Sequence, residues 1–249
     1  MRVRLFLIFL TLYVFPSELV AQNQPRPSSY GQWFMYFGDN KINKRWGIHS
    51  ELQLRNYPLQ NTVQQTLIRP GINFYAGPNT MLTAGYAFLY THPGSQNITG
   101  STLTENRLWQ QVLLRHQSRI IILEHRYRLE QRFIQNHTTD AANFENRIRY
   151  RLQALFPLSN LSSSLKQFFI NSYNELFVNF APRQSGHVID RNRLYFAGGV
   201  RFNPKTNMQI GYLNQVIYIP GKANPDITHN LQVGIFYNFM IGRSSQVND

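Results

Sequence analysis

The sequence contains no cysteine among its 249 residues, which excludes disulfide frameworks and thiolate metal sites. Charged side chains make up only 15% of the chain, against roughly 25% in an average soluble protein. Long apolar runs are also missing, because no stretch after Ala21 approaches the roughly 18 apolar residues of a transmembrane helix. Aromatic residues are abundant at 14%, and this abundance argues against a disordered chain.

The first 21 residues have the three-part layout of a secretory signal peptide. Residues 1–4 are basic, residues 5–15 are apolar apart from one threonine, and cleavage is predicted after Ala21. The apolar run is too short to span a bilayer. We therefore expect residues 1–21 to be a cleaved signal peptide, followed by a short N-terminal segment at 22–29.

Basic side chains outnumber acidic ones by 25 to 12, which gives a net charge of +13. Removal of residues 1–21 leaves 23 basic and 11 acidic side chains, a net charge of +12. Such a charge is typical of proteins that bind nucleic acid or an anionic surface. An exported protein does not meet cytoplasmic nucleic acid, so we expect no nucleic-acid partner.

The remaining chain alternates apolar and polar residues with a period of two, which is typical of strands. In residues 119–134, for example, Leu123 and Tyr127 share one face and Glu124 and Arg128 share the other. Helical spacing does not fit these segments, so the sequence predicts an all-β fold. The candidate strands are 30–37, 46–57, 63–76, 81–91, 105–117, 119–134, 144–156, 167–180, 192–202, 207–219 and 227–241.

The predicted connections alternate in length. Tight turns occupy 77–80, 117–119 and 203–206. Longer polar connections occupy 92–104, 135–143, 181–191 and 220–226. Short turns at one end and long loops at the other are typical of outer-membrane barrels. We therefore expect one antiparallel transmembrane β-barrel over residues 30–241, followed by a C-terminal tail at 242–249.

The strand number is ambiguous, because eleven candidates conflict with the even numbers of single-chain bacterial barrels. If residues 30–37 are not a full strand, the barrel has ten strands. If one candidate contains two merged strands, it has twelve. We expect about 10–12 strands and favour twelve.

The composition of the two strand faces separates a barrel from a soluble β-sandwich, which would also alternate. Lysine is absent from strand centres, and four aspartates fall in predicted connections: Asp39, Asp140, Asp190 and Asp226. The polar face carries the six glutamates of the mature chain: Glu51, Glu105, Glu124, Glu130, Glu145 and Glu175. It also carries twelve arginines: Arg55, Arg69, Arg107, Arg115, Arg126, Arg128, Arg132, Arg147, Arg149, Arg151, Arg193 and Arg201. Arginine forms bidentate bonds to carboxylates and tolerates desolvation better than lysine, so this face indicates an enclosed lumen.

Short motifs are distributed along most of the mature chain. They are Gln32-Trp33-Phe34, Lys44-Arg45-Trp46-Gly47-Ile48-His49-Ser50-Glu51, Arg69-Pro70-Gly71, Gly85-Tyr86, Glu105-Asn106-Arg107, Glu130-Gln131-Arg132, Asn146-Arg147 and Arg149-Tyr150-Arg151. Through these motifs the sequence resembles the outer-membrane family catalogued as domain of unknown function 2490. The resemblance implies a barrel in the outer membrane of a bacterium with two membranes, and it brings no established activity and no catalytic residues.

Catalytic and metal-binding patterns are weak. His49, Ser50 and Glu51 are the residue types of a hydrolase triad, but on a strand Ser50 points away from the other two. His125 lies on the outward face without a serine partner in its own strand, and the seven histidines are scattered. We therefore expect no enzymatic activity, no metal and no cofactor. A membrane lipid enzyme is kept as the third functional alternative.

The strongest constellation is a candidate lumen charge network on the polar face. Its members are Arg126, Arg128, Arg132, Arg147, Arg149, Arg151, Glu124, Glu130 and Glu145. The structural interpretation is that ion pairs close the lumen, whereas the functional one is that surplus arginines attract anions.

The leading functional hypothesis is a narrow, porin-like, anion-preferring channel or a solute-binding barrel. Its expected partners are outer-membrane lipid and small anionic solutes. The second hypothesis is a closed structural barrel whose loops contact a partner.

Overall fold

A computed structural model describes residues 29–56, 63–92, 102–158, 167–180, 189–219 and 224–240. The predicted signal peptide (1–21), residues 22–28 of the N-terminal segment and the tail at 242–249 lie outside the described residues. Within these ranges every regular element is a strand, as the period-two alternation predicts. No helix in them is long and apolar enough to cross a lipid bilayer.

Eleven strands run through the described residues. They are β1 (Ser29–Lys41), β2 (Trp46–Asn56), β3 (Val63–Gly77), β4 (Thr80–Thr91), β5 (Leu103–Gln117), β6 (Ile122–Asn136), β7 (Ala141–Pro157), β8 (Gln167–Asn179), β9 (Ile189–Asn203), β10 (Thr206–Ile217) and β11 (Asp226–Tyr237). The eleven candidate segments and the expected number of about 10–12 strands are thus confirmed, whereas neither the favoured twelve nor the alternative of ten is found. The first segment is a full strand of 13 residues, and no candidate contains two strands.

The strands close into a barrel in which β1 lies between β2 and β11. Neighbouring strands are antiparallel except β1 and β11, which run parallel. An odd number of alternating strands requires one parallel pair, because the first and last strands then point in the same direction. Across this seam the rings of Phe37 and Phe236 stack at 4.8 Å, and the Lys41 N–H donates to the Phe239 carbonyl at 2.9 Å.

The strand connections fall at two ends of the barrel. The turn end carries connections 42–45, 78–79, 118–121, 158–166 and 204–205. The loop end carries connections 57–62, 92–102, 137–140, 180–188 and 218–225. Strand β1 begins at the loop end and β11 finishes at the turn end, because each strand crosses the barrel once.

One predicted loop is shorter than expected. The sequence predicts a connection over 135–143, but β6 and β7 continue their pairing to Asn136 and Ala141. The Asn136 side chain stabilises the remaining turn by accepting the Thr138 and Thr139 N–H groups at 2.9 and 3.2 Å. Asp140 adopts a left-handed φ of 54°, which short polar side chains tolerate.

The alternation places charge inside the barrel and apolar side chains outside it. Ile72 and Phe196 on the outer face are 61% and 59% exposed, and exposed apolar residues recur on every strand. Glu130 and Arg147 on the inner face are 0% and 3% exposed. The barrel is therefore the inverse of a soluble sandwich, in which the apolar face is buried.

A pair of glycines makes room for a tryptophan on the inner wall. Gly71 of β3 lies directly opposite Gly85 of β4, and Gly85 is paired with Trp109 of β5. A Cβ atom on Gly85 would lie 2.2 Å from the Pro70 carbonyl oxygen and 3.0 Å from Cζ2 of Trp109. Trp109 is fully buried, so its ring has little room to move. The glycines at these two positions therefore have a packing role.

We expect Gly85→Ala to lower the free energy of unfolding by about 1–3 kcal/mol, because the added methyl overpacks the interior. Gly198→Ala is the matched control, since no atom lies within 4 Å of the Cβ position of Gly198. Thermal unfolding in detergent micelles, followed by far-UV circular dichroism, measures both effects. An unchanged midpoint for Gly85→Ala would contradict this packing role.

Candidate functional site

The interior charge network centres on the fully buried Glu130 of β6. Its carboxylate accepts hydrogen bonds from Arg147 Nη2 at 2.5 Å and Nε at 3.1 Å, and from Arg149 Nη1 at 2.7 Å. Three further guanidinium groups lie 3.9–4.0 Å from it: those of Arg69, Arg107 and Arg128. One carboxylate thus interacts with arginines of β3, β5, β6 and β7.

A second carboxylate extends the network across the barrel. Glu175 of β8 accepts hydrogen bonds from Arg149 Nε at 2.9 Å and Nη2 at 2.7 Å, and from Arg126 Nη2 at 2.5 Å. Arg149 therefore bridges Glu175 and Glu130, using the planar fork that makes arginine suited to two carboxylates at once. The candidate network drawn from sequence does not contain Glu175.

Near the loop end, Arg132 bridges two more glutamates. It donates to Glu105 from Nε at 2.5 Å and from Nη2 at 3.1 Å, and to Glu145 from Nη1 at 2.5 Å. Glu105 also accepts a bidentate pair of bonds from Arg107 at 2.6 and 2.8 Å. The Asn179 amide donates to Glu145 at 3.4 Å. The guanidinium groups of Arg107 and Arg132 are therefore both hydrogen-bonded to carboxylates near the loop end.

At the turn end, Glu124 accepts bonds from Arg115 Nη2 at 2.6 Å and Nε at 3.0 Å. Arg151 Nη2 lies 3.5 Å from the same carboxylate. The Arg115 side chain is 51% exposed, so water screens this pair more than the buried ones. All nine candidate network residues drawn from sequence lie in the interior and take part in ion pairs of 4.0 Å or less.

Several arginines face each other directly between β6 and β7. Arg128 is paired with Arg149, and Arg126 is paired with Arg151. Like charges in directly opposite positions destabilise a strand pair. The carboxylates that lie diagonally between them offset this repulsion, and Arg128 also donates to Gln111 Oε1 at 2.7 and 3.1 Å. The register therefore depends on the buried glutamates.

Another part of the interior is apolar and aromatic. A buried cluster comes from β1, β8, β9 and β10 and consists of Trp33, Met35, Tyr173, Tyr195, Ala197 and Leu213. Tyr195 and Leu213 are fully buried, as Glu130 and Trp109 are on the charged side. Side chains from both sides therefore fill the middle of the barrel.

Three aspartates predicted to lie in connections belong to strands instead: Asp39, Asp190 and Asp226, the last of which begins β11. Asp39 belongs to β1, where its Oδ1 lies 2.7 Å from His49 Nδ1 and accepts the Asn73 amide at 2.8 Å. Asp190 belongs to β9, is 4% exposed, and accepts a bond from Arg147 Nη1 at 3.3 Å. Strands β1 and β9 extend beyond the segments in which apolar and polar residues alternate. Their additional polar residues face a polar interior, so in the sequence they resemble a connection.

The serine of the triad-like motif lies apart from its histidine and glutamate. His49 Nε2 lies 3.5 Å from Glu51, whereas the Ser50 hydroxyl donates to a backbone carbonyl of β1 at 3.4 Å. His125 lies 3.0 Å from the hydroxyl of Tyr150. Among the described residues, no group of three or more His, Asp or Glu side chains is arranged to hold a metal ion.

We expect Glu130→Gln to destabilise the barrel by about 3–5 kcal/mol, because it leaves buried guanidinium groups around a neutral amide. Glu124→Gln on the same strand is the control. Its half-exposed partner Arg115 limits the expected loss to about 1 kcal/mol. Denaturant unfolding of the detergent-folded proteins measures both values, and equal losses would show that Glu130 is not the centre of the network.

A family model described as "Protein of unknown function (DUF2490)" matches residues 30–225. The match begins in β1 and ends just before β11, so it contains all nine residues of the candidate charge network. A search of curated proteins and a search of solved structures each gave no match.

Proposed function

The chain belongs to the DUF2490 family, and from this premise we propose that it is an integral outer-membrane β-barrel that binds small anionic solutes. The observation that carries this proposal is the inversion of the barrel, with charged side chains buried inside and apolar side chains exposed outside. The exposed apolar face supports the location, and the buried charged side chains support the ligand class.

The exposed outer face supports a lipid environment. Leu108 is 49% exposed and Ile210 is 51% exposed at positions well inside their strands. Apolar surface in water costs about 25 cal/mol per Å², and that cost disappears in hydrocarbon. The closed barrel also pairs the strand edges, and a bilayer requires this because it offers no water to unpaired backbone groups.

Aromatic pairs near the two ends support the same location. Trp46 and Phe74 lie 4.9 Å apart on the outer face near the turn end. Phe133 and Phe144 lie 4.9 Å apart on the outer face toward the loop end. Aromatic residues form girdles at the headgroup level on both sides of outer-membrane barrels, and these pairs occupy the corresponding positions.

We expect the native protein to fractionate with the outer membrane of its bacterium and to show a heat-dependent shift on a denaturing gel. A closed barrel that resists detergent migrates as a compact species until it is boiled. Recovery of the protein in the soluble periplasmic fraction, with no heat-dependent shift, would contradict the location.

The filled interior favours solute binding over a permanently open pore. Porins with an aqueous channel have about 16–18 strands, whereas this barrel has eleven. Its middle is occupied by fully buried side chains such as Glu130 and Trp109. A solute that enters from one end therefore meets a closed layer, and the arginines offer it hydrogen-bond donors.

The same filled interior also favours the second candidate, a closed structural barrel whose loops contact a partner. The two candidates differ in their response to anions. A structural barrel has no saturable anion site, whereas a solute-binding barrel binds anions with an affinity that depends on particular interior arginines.

We expect the folded wild-type protein to give no porin-like conductance steps in a planar lipid bilayer, because side chains fill the lumen. Folding in the same preparation is checked by the heat-dependent gel shift. Reproducible anion-preferring steps from folded protein would contradict the closed lumen and would favour the narrow channel.

A further inference from the structure

Three interior arginines lie together at the loop end and form what we call the loop-end arginine cluster: Arg55, Arg191 and Arg193. The cluster adjoins the charge network, because the Phe177 ring also contacts Arg149 at 4.4 Å. Arg55 lies at the end of β2, and the other two lie at the start of β9. Arg193 is 7% exposed, whereas Arg55 and Arg191 are half-buried. The cluster therefore lies at the loop end, with two of its three side chains partly exposed.

Two aromatic rings hold the guanidinium groups together. The guanidinium carbons of Arg55 and Arg193 lie 4.2 and 4.9 Å from the centre of the Trp33 ring. Those of Arg193 and Arg191 lie 4.8 and 5.7 Å from the centre of the Phe177 ring. Arg193 thus shares one ring with each of the other two, and cation–π contact keeps all three side chains in place.

The hydrogen-bond acceptors of the cluster are neutral amides. Arg193 Nε at 2.8 Å and Arg191 Nη1 at 3.3 Å both donate to the same oxygen, Oε1 of Gln215. Arg55 donates to the side chains of two glutamines at 2.5 and 2.7 Å. Two positive groups therefore converge on one uncharged oxygen.

The cluster has less counter-charge than the arginines around Glu130, because Asp190 and Glu175 attract Arg191 and Arg193 only from beyond ion-pair distance. Among the described residues, no carboxylate lies within 4.0 Å of these three guanidinium groups, whereas the arginines around Glu130 all have one. Among the described residues, the buried Nε atoms of Arg55 and Arg191 have no hydrogen-bond partner, as is also true of Arg69, Arg126 and Arg151 in the charge network. Burying unpaired like charges is unfavourable, and a bound anion would remove both the repulsion and the unsatisfied donors.

We propose that the loop-end arginine cluster binds a multi-oxygen anion, of the phosphate, sulfate or polycarboxylate class, that enters from the loop end. The planar fork of arginine donates two parallel hydrogen bonds to such oxygens, and three forks suit a ligand with several of them. Halide ions offer no such geometry and bind more weakly. This proposal rests on the proposed function and assigns the position and ligand class of the solute site.

The test is isothermal titration of inorganic phosphate, sulfate and citrate into the detergent-folded full chain. We expect saturable binding of at least one of them, weakened roughly tenfold or more by Arg193→Gln because charge-assisted bonds are lost. Arg201→Gln is the matched control, since it removes the same charge from the turn end of the same strand, and we expect it to bind like the wild type.

Thermal unfolding provides a second measurement, which tests the repulsion between the three arginines even when no anion is bound. Without added anion, Arg193→Gln is expected to unfold at or above the wild-type temperature, because like-charge repulsion is relieved. With the bound anion, the wild-type midpoint rises and that of the variant does not. Arg55→Gln, at the half-buried edge of the cluster, is expected to behave in the same way.

Tryptophan fluorescence reports the position of the bound anion. The protein has three tryptophans, and only Trp33 contacts this cluster. We expect the anion to change the emission of the wild type and to leave that of Trp33→Phe unchanged.

Saturable binding that survives Arg193→Gln and Arg55→Gln would overturn this site and leave the solute-binding function standing. Equal weakening by Arg193→Gln and Arg201→Gln would also overturn it, since binding would then follow net charge alone. Absence of binding of all three anions to the folded wild type would overturn both the site and the proposed function.

Discussion

The cost of desolvating guanidinium groups is the constraint on which the barrel depends. Strands β6 and β7 place arginines directly opposite one another, and the lumen gives them little water. Glu130 and Glu175 make this arrangement tolerable, because each carboxylate lies among arginines of several strands. Removing one partner of a buried ion pair strongly destabilises a protein, because the other charge is left buried without compensation. The glutamates therefore fix the register of the strands that carry the charge network.

The fold could be predicted from the sequence in most respects. Alternation identified the eleven segments and separated the charged face from the apolar one, because strand geometry imposes a period of two. The preference for twelve strands was wrong because it relied on the even numbers of known bacterial barrels, and a parallel closure leaves no local mark in the sequence. Asp39 and Asp190 were misplaced because a polar interior makes strand ends resemble loops.

The site could be predicted only in part. A one-dimensional pattern gives the inward direction of Arg126 or Arg149, but it does not say which carboxylate each one meets. Those partners depend on contacts across the lumen, such as Arg126 with Glu175. Arg191 was missed because the candidate strand began at residue 192, where the period-two pattern starts. In the structure β9 begins earlier, and a register shift beside Phe177 pairs Arg191 with β8. At the loop end, three interior arginines (Arg55, Arg191 and Arg193) donate to glutamine side chains rather than to carboxylates.

The parallel seam between β1 and β11 has a consequence for sidedness. An odd number of crossings means that Ser29 and Met240 lie at opposite ends of the barrel. In a membrane, Ser29 and Met240 would therefore face different compartments, unlike the two ends of an even-numbered barrel. A reporter inserted beside each of these two residues would then read out two different compartments.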